Sequence, residues 1–396
     1  MPSSKATLAI GLEGIAVAET VLSHVDGAAG RLVVSGTDVE HLASTVPFEA
    51  VAARLWTAQD VGGAVRSLPP VEPADGPVDP DAVRSELGAA RRAAHALLRT
   101  LGEALDAPDA MEALRASVAH LSEPQGRPGS PAWARNARIA GAVAVFATAW
   151  ARRRGGLPAV APDPSLGHAA DYLRMLRGGP AGPEEANALD AYFVTVVDHG
   201  LSASTFAARV VTSTGSDVVS AVTAAIGALK GPLHGGAPGP VLDMLDAIGV
   251  PDRARAWLSS ELAAGRRIMG MGHRVYRVRD PRAAVLEVAL RRLTEAVGLR
   301  GSSDAERTSG RLALARAVER EATALLGERH ADRALRANVE FYTAVLLEAL
   351  GIPRELFSAT FTAARVVGWT AHVDEERRKG RLIRPTSVYV GPMPTP

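Results

Sequence analysis

The chain has 396 residues, 47% of them hydrophobic and 22% charged, with a formal net charge of +1. It can bury a large core or two domains sharing an interface, and its charge is too balanced for a nucleic-acid tail or a membrane-seeking face. The lack of cysteine excludes disulfides, thiolate catalysis and Cys-ligated metals, and a cytoplasmic protein is the simplest reading.

At the start, MPSSKATLAIGLEGIAVAE is interrupted by Glu13 and makes a poor secretory signal. Next, DGAAG followed by RLVVSG at Arg31–Gly36 predicts a short β-hairpin, the best strand candidate in a chain poor in β-branched alternation. The longest apolar stretch, Ile139–Ala151, ends at Arg152–Arg154; it is too short to span a bilayer and reads as a buried helix. Helical spacing recurs in Val241, Leu242, Leu245 and Ile248, and again in Val345, Leu346, Ala349 and Leu350. The expected fold class is therefore all-α with a minor N-terminal β-hairpin.

Four Pro/Gly-rich stretches, beginning at Pro69, Ser122, Gly155 and Gly178, read as loops between helices. A polar break, RGSSDAERTSG from Arg300, is expected to be a mobile segment between two arginine-rich helices.

From Asp190 onward, histidine, arginine and glycine fall in short clusters: VVDHGLSAST, LKGPLHGGAPGP, MGMGHRVYRVRDPR, NVEFY, AARVVGW and RLIRPTS. A lone histidine is ordinarily satisfied by backbone near a helix end, but glycine beside His234 and His273 lets a ligand approach the main chain closely. Arg274, Arg277, Arg279 and Arg282 could form a solvated helix start; beside His273 they read instead as a site for an anionic substrate, because guanidinium forks grip carboxylates and phosphates. Glu340 lies between Val339 and Phe341, so its carboxylate is either ion-paired or raised in pKa and suited to proton abstraction.

In this order, GPLHGGA, GMGHRVY with DPRA, NVEFY, ALGIP, ARVVGW and LIRP with YVG closely resemble the citrate synthase family. GLEGIAVAET, GRLVVSGTDVEHLA and FEAVAARLW carry a weaker likeness, and about 62–182 carries little. The resemblance implies a citrate synthase-like two-domain helical fold, with residues 1–235 and 351–396 as the large domain and 236–350 as an inserted small domain. It also implies a homodimer that joins acetyl-CoA to oxaloacetate and hydrolyses the product to citrate and CoA. No metal and no permanently bound cofactor is expected, the coenzyme A thioester being a co-substrate; no nucleic-acid or membrane partner is implied.

By the same carry-over the catalytic positions are His234, His273 and Glu340. His199, Arg282 and Arg365 would bind oxaloacetate carboxylates, with Arg384 reaching the site across the dimer interface. The backbone of Met269, Gly270, Met271 and Gly272 and the side chain of Arg277 would meet coenzyme A. Three departures stand out: Glu340 where much of the family has aspartate, Val34–Gly36 in place of an aromatic-Arg-Gly pattern, and Ala237-Pro238 after the second glycine. Two alternatives remain open: a 2-methylcitrate synthase using propionyl-CoA with the same residues, and a paralogue that binds ligand without turnover.

Overall fold

The computed structural model of the chain describes residues 9–12, 14–58, 76–122, 131–235, 238–273, 275–298, 303–330 and 335–394. Among them run fifteen α-helices and one three-stranded antiparallel sheet. The sheet comprises β1 (Ser23–Asp26), β2 (Arg31–Val34) and β3 (Thr37–Asp38). Its first pair registers Ser23 with Val34 and Asp26 with Arg31, and Asp26 Oδ1 closes the turn by accepting from the Ala28 and Ala29 N–H groups at 3.0 and 2.9 Å. The predicted hairpin is therefore present. The two-residue β3 escapes a period-2 reading because it is too short to alternate.

The helices that follow are α1 (Val39–Thr45), α2 (Phe48–Trp56), α3 (Pro80–Leu97), α4 (Ala110–Ala119), α5 (Ala132–Arg154), α6 (His168–Arg177), α7 (Pro183–Val196), α8 (Ala203–Ser213) and α9 (Val218–Leu229). Then come α10 (Pro238–Ile248), α11 (Ala254–Ala263), α12 (Pro281–Gly298), α13 (Ser303–Arg329), α14 (Val339–Ala349) and α15 (Phe357–Lys379). Side-chain caps begin several of them, with Asp79, Asp109, Ser202, Asp217 and Asn338 each accepting from a first-turn N–H.

The apolar run Ile139–Ala151 lies inside α5 and is buried apart from Ala151 at its end. The loops from Gly155 and Gly178 separate α5 from α6 and α6 from α7, as expected. The polar break from Arg300 is shorter than expected: residues from Ser303 onward already belong to α13, where Glu306, Arg307 and Ser309 are exposed. Residues 299–302, most of the loops from Pro69 and Ser122, Gly236, and Arg274 lie outside the described residues.

The core centres on α15 and α5, which pack on each other and between them against α2, α3, α4, α6, α8 and α9. Their largest buried side chains, Trp369 and Trp150, each remove roughly 3–5 kcal/mol from stability if truncated to alanine. In α12 one face packs against α13 and α14 while another meets α7 and α1. That double contact brings the His273–Asp280 segment beside the end of α7. At Gly368 in α15 a Cβ would overlap the Val197 carbonyl and come within 2.8 Å of Asp198 Oδ1, so glycine lets the helix press against the turn carrying His199.

Among the described residues, no helix is long and apolar enough to cross a membrane.

Candidate active site

The site forms where four chain segments meet: the turn after α7, the turn after α9, and the paired stretches Met269–Asp280 and Arg336–Glu340. The last two are stitched by a Met271–Ala337 bridge, with Gly272 N donating to Arg336 O at 2.7 Å and Asn338 N donating to Gly270 O at 2.9 Å. Much of the Met269–Gly272 backbone is thus committed to holding the start of α14. Asn338 also donates from Nδ2 to Gly272 O at 2.8 Å and accepts the Glu340 N–H at 3.0 Å.

Glu340 therefore sits in the first turn of α14 at a fixed height above the His273 loop. Burial pushes its carboxyl up to about 7; Asp280 adds to that, while Arg282 and Arg365 pull the other way. A carboxyl poised there can exchange a proton with a weak carbon acid near neutral pH.

His234 closes the turn after α9, its N–H donating to Gly231 O at 2.9 Å. Its Nε2 lies 2.8 Å from Ser204 Oγ and 3.3 Å from the Ser204 N–H, which can only donate. Trp369 Nε1 donates to the same Ser204 Oγ at 3.2 Å, freeing the hydroxyl proton for His234. With Nε2 accepting, the ring proton resides on Nδ1. Burial, assisted by Arg365, brings its pKa down to about 4, so the ring is a neutral donor.

His273 is arranged in the opposite sense. The Val275 and Tyr276 N–H groups donate to its Nδ1 at 3.0 and 3.1 Å, which leaves Nε2 as the protonated nitrogen, 3.5 Å from Arg282 Nη2. Burial and Arg282 push this ring down to about 4 against the opposing pull of Asp280, so it too donates while neutral. His199 lies edge-on to it with ring centroids 5.7 Å apart, and its Nε2 meets Tyr276 Oη at 3.1 Å. Burial, then Arg282, Arg365 and His273, hold His199 well below the usual histidine range.

Two buried guanidinium groups supply positive charge. Arg282 is paired with Asp280 through Nε at 3.0 Å and Nη2 at 2.8 Å, and Asp280 also accepts the Val339 N–H at 3.2 Å. Arg365, 2% exposed, donates from Nε to Val196 O at 2.6 Å and lies over the Phe361 ring. Among the described residues no carboxylate comes within ion-pair distance of it, and burial lowers its pKa to about 10. Asp198 and Glu340 oppose that shift only from beyond direct contact, and an anionic ligand would relieve the remaining cost of burying the cation.

The structure thus gathers His199, His234, His273, Arg282, Glu340 and Arg365. Arg277 is exposed, and Arg384 lies on an exposed C-terminal stretch; no contact among the described residues brings it to the others. Sequence reasoning left four positioning residues without a role: Ser204, Tyr276, Asp280 and Asn338. All four lie within the clusters or motifs quoted above, where their spacing to the histidines was the only signal. No group of three or more metal-ligating side chains occurs among the described residues.

Comparison with known proteins bears on the family. The family model for "Citrate synthase, C-terminal domain" matches residues 11–386. The citrate synthase of Haloferax volcanii is 38% identical across 96% of this chain and 95% of its own length. The 2-methylcitrate synthase of Mycobacterium tuberculosis is 35% identical across 96% and 90%. Among solved structures, the ternary complex of citrate synthase from Thermoplasma acidophilum with carboxymethyl coenzyme A and oxaloacetate superposes with a TM-score of 0.81, at 26% identity and 98% coverage of both chains.

Fold and relatives define an acyltransferase. The chain belongs to the citrate synthase family.

Proposed function

We propose that the protein condenses acetyl-CoA with oxaloacetate and hydrolyses the citryl-CoA formed to citrate and CoA. The observation that carries this reading is the pairing of two neutral imidazole donors of opposite tautomer with a carboxyl near its pKa and a buried Arg365 that has no ion-pair partner among the described residues. In this reading Glu340 removes a proton from the thioester methyl group. His234 Nδ1–H hydrogen-bonds the thioester oxygen as negative charge develops there, an interaction worth about 3–4 kcal/mol where such a donor has been removed from other enzymes.

The carbon nucleophile then attacks the oxaloacetate ketone, whose oxygen is polarised by His273 Nε2–H. Arg282, Arg365 and His199 hold the carboxylates. Water next cleaves the thioester, releasing the carboxylate and CoA. Coenzyme A would lie against Met269–Gly272 and the exposed Arg277.

The same reading makes 236–350 a small domain closing on the remainder, and the cytoplasmic protein a homodimer in which Arg384 completes the partner's site. The exposed apolar side chains of the C-terminal stretch, Leu382, Val388, Tyr389, Val390 and Met393, support a partner surface there.

The relatives include enzymes named for both citrate and 2-methylcitrate, and one methyl group in an apolar pocket is worth only about 1–3 kcal/mol. The test is release of CoA thiol from acetyl-CoA and from propionyl-CoA, each with oxaloacetate. Faster acetyl turnover is expected. Faster propionyl turnover would make the protein a 2-methylcitrate synthase, and no thiol from either would leave a binding protein without turnover.

A further inference from the structure

The β1–β2 hairpin lies outside every catalytic assignment above, yet it touches both histidine-bearing segments of the oxaloacetate pocket. Its base is rooted in the core: Leu22, Leu32 and Val34 are buried, Val21 N donates to Glu375 Oε1 at 2.9 Å, and Ser35 N donates to Leu22 O at 2.7 Å. From this base Ser23 reaches the His199 turn on both sides. Its hydroxyl donates to Asp198 Oδ2 and accepts the Gly200 N–H, the latter at 2.8 Å, so the residues before and after His199 are pinned by one side chain. Asp198 Oδ2 also meets His372 Nε2 at 3.3 Å.

At the other end, the Gly27 carbonyl accepts the Arg277 N–H at 2.8 Å. A Cβ on Gly27 would overlap the Val275 carbonyl, and one on Gly30 would overlap the Val278 side chain, so the turn is seated against this segment at backbone distance. The segment so held is the one whose Val275 and Tyr276 N–H groups orient the His273 ring, and whose Tyr276 hydroxyl meets His199.

We propose that this hairpin is a brace for the substrate pocket: Ser23 positions His199, and the Gly27 turn holds the 275–277 segment so that His273 keeps its register to His199. Residue 27 requires glycine for this close approach, since its own backbone is not in the left-handed region. The brace rests on the reading of these two histidines as oxaloacetate-binding and ketone-polarising groups.

Gly27→Ala should displace the 275–277 segment while leaving the turn itself intact. The expected result, by calorimetry and steady-state kinetics, is a rise of about tenfold or more in both the oxaloacetate Kd and its KM, with a smaller change in the acyl-CoA KM. Gly27→Val should exceed it, and Ser23→Ala should act in the same direction. Ala29→Ser, in the same turn but exposed, should bind oxaloacetate like the wild type. Wild-type oxaloacetate binding in Gly27→Val and Ser23→Ala, even with a lowered melting temperature, would overturn the brace and leave the hairpin a structural element only. A wild-type protein that binds no oxaloacetate would instead overturn the substrate reading on which the brace rests.

Discussion

Glu340 carries the sharpest consequence at the level of single residues, because its carboxyl is the group of the candidate site whose pKa falls within the working range of most enzymes. Both His234 and His273 are pushed down to about 4 and stay neutral above it. The acid limb of activity should therefore report Glu340 alone: log kcat/KM rises with unit slope below about pH 7 and levels off above it. A flat pH–rate profile from about 5.5 to 8 would assign proton abstraction to another group.

Stability should move the other way. Folding raises this carboxyl from its ordinary 4.5, so the folded chain binds the proton more tightly than the unfolded one, and stability falls as pH rises from about 4.5 to about 7. Glu340→Gln should abolish turnover and leave oxaloacetate binding nearly intact. It should also exceed the wild type in stability by about 1–3 kcal/mol above pH 7, but not near pH 4, as measured by urea denaturation. The flanks Val339 and Phe341 made this residue legible in the sequence. They could not decide between ion pairing and a raised pKa, because that depends on Arg282 and Arg365, which stand 58 positions before and 25 after it in the chain and meet it only on folding.

At the scale of elements, the start of α14 shows how a helix terminus aims a catalytic group. Asn338 caps the helix, ties it to Gly272, and so couples the height of Glu340 to the His273 loop. Asn338→Ala should cost about 1 kcal/mol of stability through the lost cap and lower kcat disproportionately. Asn338→Asp keeps the acceptor for the Glu340 N–H but adds a negative charge nearby, which should shift the acid limb of the pH–rate profile upward. A downward shift would show that the helix start had rearranged. The helices were readable from their periodicity and the hairpin from its turn, whereas the Met271–Ala337 bridge was not. Isolated pairings between residues 66 apart leave no local pattern.

For the whole molecule, the consequence to test concerns Arg384, which the family resemblance implies for the partner's site and the single chain leaves on its surface. If two copies share sites, mixing inactive Arg384→Ala with inactive His234→Ala subunits should restore part of the wild-type activity, because half of the sites in a hybrid dimer would be intact. Complete failure to complement, with hybrid formation confirmed by native mass spectrometry, would confine each site to one chain. Burial of the exposed Val390 and Tyr389 in such a dimer also predicts that truncation after Gly380 lowers both self-association and activity.

By itself the sequence determined the helical class, the hairpin, the family and six residues that the fold brings together, because periodicity, turn chemistry and short motifs are local properties. Only the tertiary structure decided the protonation states of the two histidines, the burial of Arg365 away from any ion-pair partner among the described residues, and the double grip of the hairpin on the pocket. These depend on which N–H, hydroxyl and guanidinium groups converge from distant segments, and on how much water the packed helices exclude around them.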